Sequence, residues 1–184
     1  MKRTALLRIA LVPLLALAGY AARAEEPLDA VRAYYGWALA HPAKGLPSAA
    51  DRKELSRFVA PELVALFESA SQTQQRCVKF TPKGEKPLIV EGDVLVANYE
   101  GASEVAYGLV AQQGRTATMD VNLVFIDRRF AKSHPQRVVA WQDRVDLVQT
   151  GDRWLIKDLH FPPDRSLAEE LAGYIDDGQR SCGN

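Results

Sequence analysis

The stretch Thr116-Ala117-Thr118-Met119-Asp120-Val121-Asn122-Leu123-Val124-Phe125-Ile126 alternates apolar and polar side chains. Successive side chains of a β-strand point to opposite faces of its sheet. One face of this strand therefore carries apolar side chains (Ala117, Met119, Val121, Leu123 and Phe125), and the other carries polar ones (Thr116, Thr118, Asp120 and Asn122). The pattern predicts a strand of an antiparallel sheet whose apolar face meets a layer of helices.

Three further strands are predicted around this stretch, at residues 105–111, 137–149 and 153–161. Gln113-Gly114 and Gly151-Asp152 separate neighbouring strands, and glycine pairs of this kind are typical of the tight turns in hairpins. The sequence therefore predicts about four strands joined as antiparallel hairpins. Residues 80–104, which are broken by prolines and glycines, are predicted to form one long connection before the sheet.

Apolar side chains at helical spacing predict helices on both sides of the strands. The first begins at Pro27 and stops at His41, a short one spans residues 51–58, and a longer one begins at Pro61. A last helix begins after Ser166, which forms a capping-box pattern with Glu169, and is expected to end near Gly178. The fold class is therefore α+β, with N-terminal helices packed on the sheet and a C-terminal helix.

The first 24 residues have the pattern of a signal peptide. Basic Lys2 and Arg3 precede an apolar run at residues 9–19, and Ala22-Arg23-Ala24 suits cleavage before Glu25. The apolar run is too short to span a bilayer, which predicts no permanent membrane anchor. We therefore expect a periplasmic or secreted protein in which residues 25–184 form one domain.

Charge and cysteine content narrow the functional classes. The chain has 23 basic and 23 acidic residues, and four of the basic ones precede Glu25, so residues 25–184 have 19 against 23. A net charge of about −4 does not favour binding to nucleic acid. The two cysteines, Cys77 and Cys182, are expected to form a disulfide in an exported protein, and two unpaired thiols are the alternative.

The order of helices and hairpin strands, closing with Asp152-Arg153-Trp154-Leu155-Ile156-Lys157, resembles the cone-shaped fold of the nuclear transport factor 2-like superfamily. Within it, Tyr34-Tyr35-Gly36-Trp37 and Pro87-Leu88-Ile89-Val90-Glu91-Gly92-Asp93 resemble stretches of a family of exported bacterial domains of unknown function. The resemblance covers residues 28–161. It implies a curved sheet around helices, a pocket that in enzyme members holds polyketides or steroids, and a possible homodimer through the open sheet.

Three side chains are candidates for catalysis, because an acid or base needs a titratable group in an apolar pocket. Asp143 and Asp158 each alternate with apolar neighbours, and His160 lies two residues beyond Asp158 on the same predicted face. Alternatively the aspartates pair with Arg144, Arg153 or Lys157 or face water, and His160 serves packing. No pair of histidines and cysteines has ligand spacing, so neither a metal nor a cofactor is expected.

Two further groups are candidates for binding. Tyr34, Tyr35, Trp37 and Trp141 are expected to contact a ring-containing ligand, or else to pack in the core. A loop rich in positive charge, with Arg128, Arg129, Phe130 and Lys132, is expected either to grip an anionic partner surface or to be a solvated turn.

Three functions remain open at this point. The first is a non-catalytic protein that binds a small molecule. The second is a protein-binding or immunity-type inhibitor whose partner lies in the cell envelope. The third is a cofactor-free isomerase or lyase, which depends on Asp143, Asp158 and His160 alone.

Overall fold

The computed structural model describes residues 25–96, 98, 100–163 and 165–182, and within them four α-helices flank the sheet. They are α1 (Pro27–Ala40), α2 (Ala49–Leu55), α3 (Pro61–Phe80) and α4 (Leu167–Ser181). Proline opens α1 and α3, where its missing N–H would have no helical partner anyway. The helix α2 begins two residues before the predicted start because Ser48 and Asp51 form a reciprocal capping box.

The strands form one antiparallel sheet in sequence order. They are β1 (Glu104–Gln113), β2 (Thr116–Ile126), β3 (Val138–Thr150), β4 (Arg153–Phe161) and the two-residue β5 (Arg165–Ser166). The sheet is curved, and it follows the N-terminal helices and precedes α4. The predicted α+β architecture is therefore confirmed. The short β5, which pairs with the end of β4, has too few residues to show a pattern in the sequence.

One face of the sheet, which we call the inner face, packs against the helices. It includes Met119, Val121 and Leu123 of β2 and Val145 and Leu147 of β3, all at most 1% exposed. The alternation predicted for β2 is thus confirmed. The opposite or outer face carries polar side chains that lie directly across from one another, such as Asp120 and Arg144, whose carboxylate and guanidinium are 3.6 Å apart.

The predicted disulfide between Cys77 and Cys182 is present, with an S–S distance of 2.05 Å. It joins α3 to the C-terminal end of α4. That helix does not stop near Gly178, as expected from the sequence, but continues to Ser181. Gly178 is instead the point of close contact between the helices, because a Cβ there would lie 2.1 Å from Cγ2 of Thr73.

The long connection before β1 is held down by side-chain hydrogen bonds and by an isolated backbone bridge between Gly45 and Asp93. The backbone N–H of Val90 donates to Gln74, and the Tyr174 hydroxyl donates to the carbonyl of Leu88, both at 2.9 Å. Buried Asp93 accepts the N–H of Leu95 at 2.9 Å. The connection therefore forms a fixed wall next to the helices.

The predicted signal peptide, residues 1–24, and its cleavage site lie outside the described residues. Glu25, the expected first residue after cleavage, accepts the backbone N–H of Trp154 at 3.0 Å. Within the described part of the chain, no helix is long and apolar enough to cross a membrane.

Candidate functional site

Asp143 is a carboxyl group in the apolar interior. It lies on β3 directly across from Val121 of β2, on the inner face, and is 0% exposed. Its chain neighbours Gln142 and Arg144 point to the outer face and are exposed. The strand alternation thus places one carboxyl among side chains that would otherwise form a purely apolar layer.

Tyr35 of α1 is the hydrogen-bond partner of Asp143. Its hydroxyl donates to Oδ2 of Asp143 at 2.9 Å, and the tyrosine is 0% exposed. The adjacent Tyr34 packs edge-on against it, with ring centroids 5.2 Å apart, and donates to the carbonyl of Leu95 at 2.8 Å. Tyr34 thereby ties α1 to the long connection and helps hold the Tyr35 ring over Asp143.

Burial raises the pKa of Asp143 to about 7, because the carboxylate form loses its hydration. The hydrogen bond from Tyr35 and the nearby indole N–H of Trp141 act in the opposite direction but only partly offset burial. Burial and the nearby Asp143 also raise the pKa of Tyr35 well above its usual value, so Tyr35 remains a proton donor. The carboxyl can therefore change its protonation state near neutral pH while its tyrosine partner cannot.

Two buried polar atoms at this place have no well-formed hydrogen bond in the described structure: Oδ1 of Asp143 and Nε1 of Trp141. Trp141 lies two residues before Asp143 on the same face of β3 and is half-buried. Its indole N–H is near enough to lower the pKa of the carboxyl. Leaving a donor and an acceptor unsatisfied side by side is costly, and it indicates a place for a third polar group.

Aromatic and aliphatic side chains share the inner face with these two atoms. Tyr107 of β1 lies in the same row across the sheet as Val121 and Asp143, and its ring centroid is 6.5 Å from that of Tyr35. Toward the end of the β2–β3 hairpin, the inner face continues with Phe125 and with Val139, which is 47% exposed. Flat rings around few polar atoms are typical of sites for ring-containing ligands.

Asp158 does not point into this site. Trp154 and Ile156 of β4 face inward, but a bulge in the pairing with β3 shifts the alternation, so that Asp158 lies across from Asp146 on the outer face. It accepts the hydroxyl of Ser166 and the backbone N–H of Ala168, the latter at 3.0 Å. Asp158 therefore caps the N-terminus of α4.

His160 also lies on the outer face, on the other side of the sheet from the Asp143 side chain. Its Nε2 is 2.9 Å from Oδ2 of Asp146 and 3.8 Å from Oδ2 of Asp158. Thr118 donates to the second oxygen of Asp146 at 2.9 Å. Thr118, Asp146 and His160 line an open depression of about 610 Å³. The three catalytic candidates are thus divided between the two faces of the sheet.

Of the four aromatic side chains expected to bind a ligand, Tyr35 and Trp141 adjoin Asp143. Tyr34 is fully buried and bonded to Leu95, and Trp37 stacks on His41 with ring centroids 4.9 Å apart. Trp37 lines a separate depression of about 380 Å³. Sequence reasoning missed Tyr107 as a site residue, and it did not foresee that the Tyr35 hydroxyl would bind Asp143.

The charged loop between β2 and β3 is partly neutralised. Arg129 binds Asp127 at 2.7 Å and Glu100 at 3.3 Å, and Phe130 stacks on His134 with centroids 4.2 Å apart. Arg128 and Lys132 are exposed, and among the described residues neither has an ion pair. The free positive charge of this loop therefore comes mainly from Arg128 and Lys132.

Within the described ranges, no group of three or more His, Cys, Asp or Glu side chains is arranged to hold a metal ion. No protein-family model, curated protein or solved structure matches the chain. The arrangement of its own residues is therefore the basis for a functional proposal.

Proposed function

We propose that this protein is an exported small-molecule-binding protein of the nuclear transport factor 2-like superfamily. Its ligand would be a flat, largely apolar molecule whose hydroxyl group enters the site formed by Tyr35, Asp143 and Trp141. The curved sheet with helices on its inner face supports the superfamily assignment. The observation that carries the binding proposal is the buried pair of polar atoms without partners, Oδ1 of Asp143 and Nε1 of Trp141.

A single hydroxyl group satisfies both atoms. It donates its proton to Oδ1 of Asp143 and accepts the indole N–H of Trp141, while Tyr35 keeps its bond to Oδ2. Each of these bonds contributes about 1 kcal/mol net. The ring of the ligand would pack on Trp141 and Tyr107, which are half-buried.

The test uses 2-naphthol, a flat bicyclic molecule with one hydroxyl group, titrated by calorimetry at pH 8, where Asp143 is mostly ionised. Trp141→Phe removes the N–H but keeps an aromatic ring, and Asp143→Asn removes the charge with little change of shape. Each change is expected to weaken binding about five- to tenfold, the equivalent of one hydrogen bond. Trp37→Phe is the matched control for Trp141→Phe, and Asp120→Asn is the matched control for Asp143→Asn. Both controls should bind 2-naphthol as tightly as the unmodified protein.

Failure of 2-naphthol to bind, or equal binding by Trp141→Phe and the unmodified protein, would contradict the proposal. A single buried water molecule would also satisfy the two atoms. If water occupies the site, 2-naphthol does not bind there, and neither Trp141→Phe nor Asp143→Asn changes its affinity. A lyase or isomerase at the same site would convert its ligand, so recovery of unaltered 2-naphthol from the complex is consistent with binding alone.

A second candidate function, binding to a protein partner, is supported by the β2–β3 hairpin. The free cations Arg128 and Lys132 belong to the loop that leads into Val138 and Val139, which are 54% and 47% exposed. Exposed apolar side chains beside cations are typical of surfaces that dock an acidic protein. A photo-cross-linking residue at position 138, compared with one at position 144 farther along the same strand and face, tests this. The proposal is supported if position 138 gives a single adduct that the double substitution Arg128→Gln and Lys132→Gln abolishes. It is contradicted if position 138 gives no adduct.

A further inference from the structure

We infer that the ligand also carries an anionic group, and that Arg32 binds this group at the rim of the site. The inference rests on the proposed function and narrows its ligand class to ring-containing hydroxy acids. The hydroxyl would lie at Asp143 and the acid group at the opposite end of the molecule. Arg32 would then be the residue that selects acids over neutral ligands.

Arg32 is connected to the site through a continuous series of contacts. It lies one helical turn before Tyr35 on α1, and its guanidinium carbon is 5.6 Å from the centre of the Tyr107 ring. The Tyr107 ring in turn packs against Tyr35, whose hydroxyl binds Asp143. The cation–π contact holds the guanidinium group over the rim of the site.

The charge of Arg32 is left without a carboxylate. Among the described residues Arg32 has no ion pair and no hydrogen bond, although residues 25–184 contain more acidic than basic side chains. Asp29 lies one turn earlier on the same helix, yet the two do not pair. Burial raises the pKa of the Tyr107 hydroxyl, and the nearby guanidinium of Arg32 opposes part of that shift.

The geometry of the sheet sets the length of the ligand. Tyr107, Val121 and Asp143 lie in one row across three neighbouring strands. Two strand spacings separate the outer members of that row, which corresponds to about 10 Å. This is roughly the distance between the hydroxyl and the carboxylate of a hydroxy acid built on two fused six-membered rings. A ligand of this size would reach from Asp143 to the guanidinium above Tyr107.

The experiment compares 2-naphthol with 6-hydroxy-2-naphthoate by calorimetry at pH 8 and low salt. The acid is expected to bind the unmodified protein about three- to fivefold more tightly, a modest preference because Arg32 is exposed to solvent. In Arg32→Gln the ratio of the two affinities should fall to about one. Lys53→Gln, which removes an exposed cation from α2, should leave the ratio unchanged.

The outcomes separate this inference from the proposed function. If both compounds bind equally well, or if Arg32→Gln keeps the preference for the acid, Arg32 does not select the ligand and this inference is refuted while binding at Asp143 stands. If neither compound binds, the proposed function fails together with the inference. Raising the salt concentration to about 0.5 M should also abolish the preference, because it screens exposed charges.

Discussion

Replacing Gly178 by alanine is expected to destabilise the protein, although alanine is the better helix former. Gly178 lies in α4 against α3. A Cβ at this position would be 2.1 Å from Cγ2 of Thr73 and 3.4 Å from Sγ of Cys77. Thr73 is 2% exposed, and its branched side chain has little freedom to move away. The two helices would have to separate at the point where the disulfide already joins them.

The magnitude follows from two opposing terms. Forcing a methyl group into a packed contact costs about 1–3 kcal/mol, whereas replacing glycine by alanine in a helix contributes about 1 kcal/mol. We therefore expect Gly178→Ala to lower the free energy of unfolding by up to about 2 kcal/mol, the cost of the close contact less the helix-forming gain. Gly173 of the same helix is exposed and has open space around its Cα, so Gly173→Ala should raise that free energy by about 1 kcal/mol.

Thr73→Ser tests the cause directly. It removes the Cγ2 methyl group but keeps Oγ1, which accepts a hydrogen bond from Arg76 at 3.3 Å. In the Thr73→Ser background, Gly178→Ala should become neutral or stabilising. Urea unfolding of the oxidised protein measures all four variants, and a change of 1 kcal/mol also shifts the melting temperature by about 2–4 °C. The reasoning is refuted if Gly178→Ala is stabilising by itself, or if Thr73→Ser leaves its effect unchanged.

Two further predictions concern Asp143 and Asp158. The pKa of Asp143 is raised from 3.8 to about 7 in the fold, so the folded protein holds this proton more tightly than the unfolded chain does. The free energy of unfolding should therefore decrease as the pH rises from about 4 to 7, by at most about 4 kcal/mol. Urea unfolding at pH 4.5 and 8 should show a smaller decrease for Asp143→Asn, and an equal decrease would exclude Asp143 as its cause. Asp158→Ala should cost about 1–2 kcal/mol and increase amide exchange in the first turn of α4, because its carboxylate caps that helix. Unchanged exchange there would contradict the capping role.

Local patterns in the sequence were sufficient to predict most of the secondary structure. The strands at Thr116–Ile126 and Arg153–Phe161 have the predicted bounds, and proline starts α1 and α3 as expected. These features depend on residues close together in the chain, through side-chain alternation and the first helical turn. The disulfide was predictable for a different reason, since the chain has two cysteines and only one intramolecular pairing is possible.

Tertiary structure alone decided which of these residues meet. Tyr35 and Asp143 are 108 residues apart, and no local pattern relates a position on α1 to a position on β3. The bulge between β3 and β4 moved Asp158 to the outer face, because a shift of one residue in pairing exchanges the two faces of a strand. The role of Gly178 likewise depends on how closely α4 approaches α3. Such contacts follow from packing over the whole fold, which periodicity along the chain does not encode.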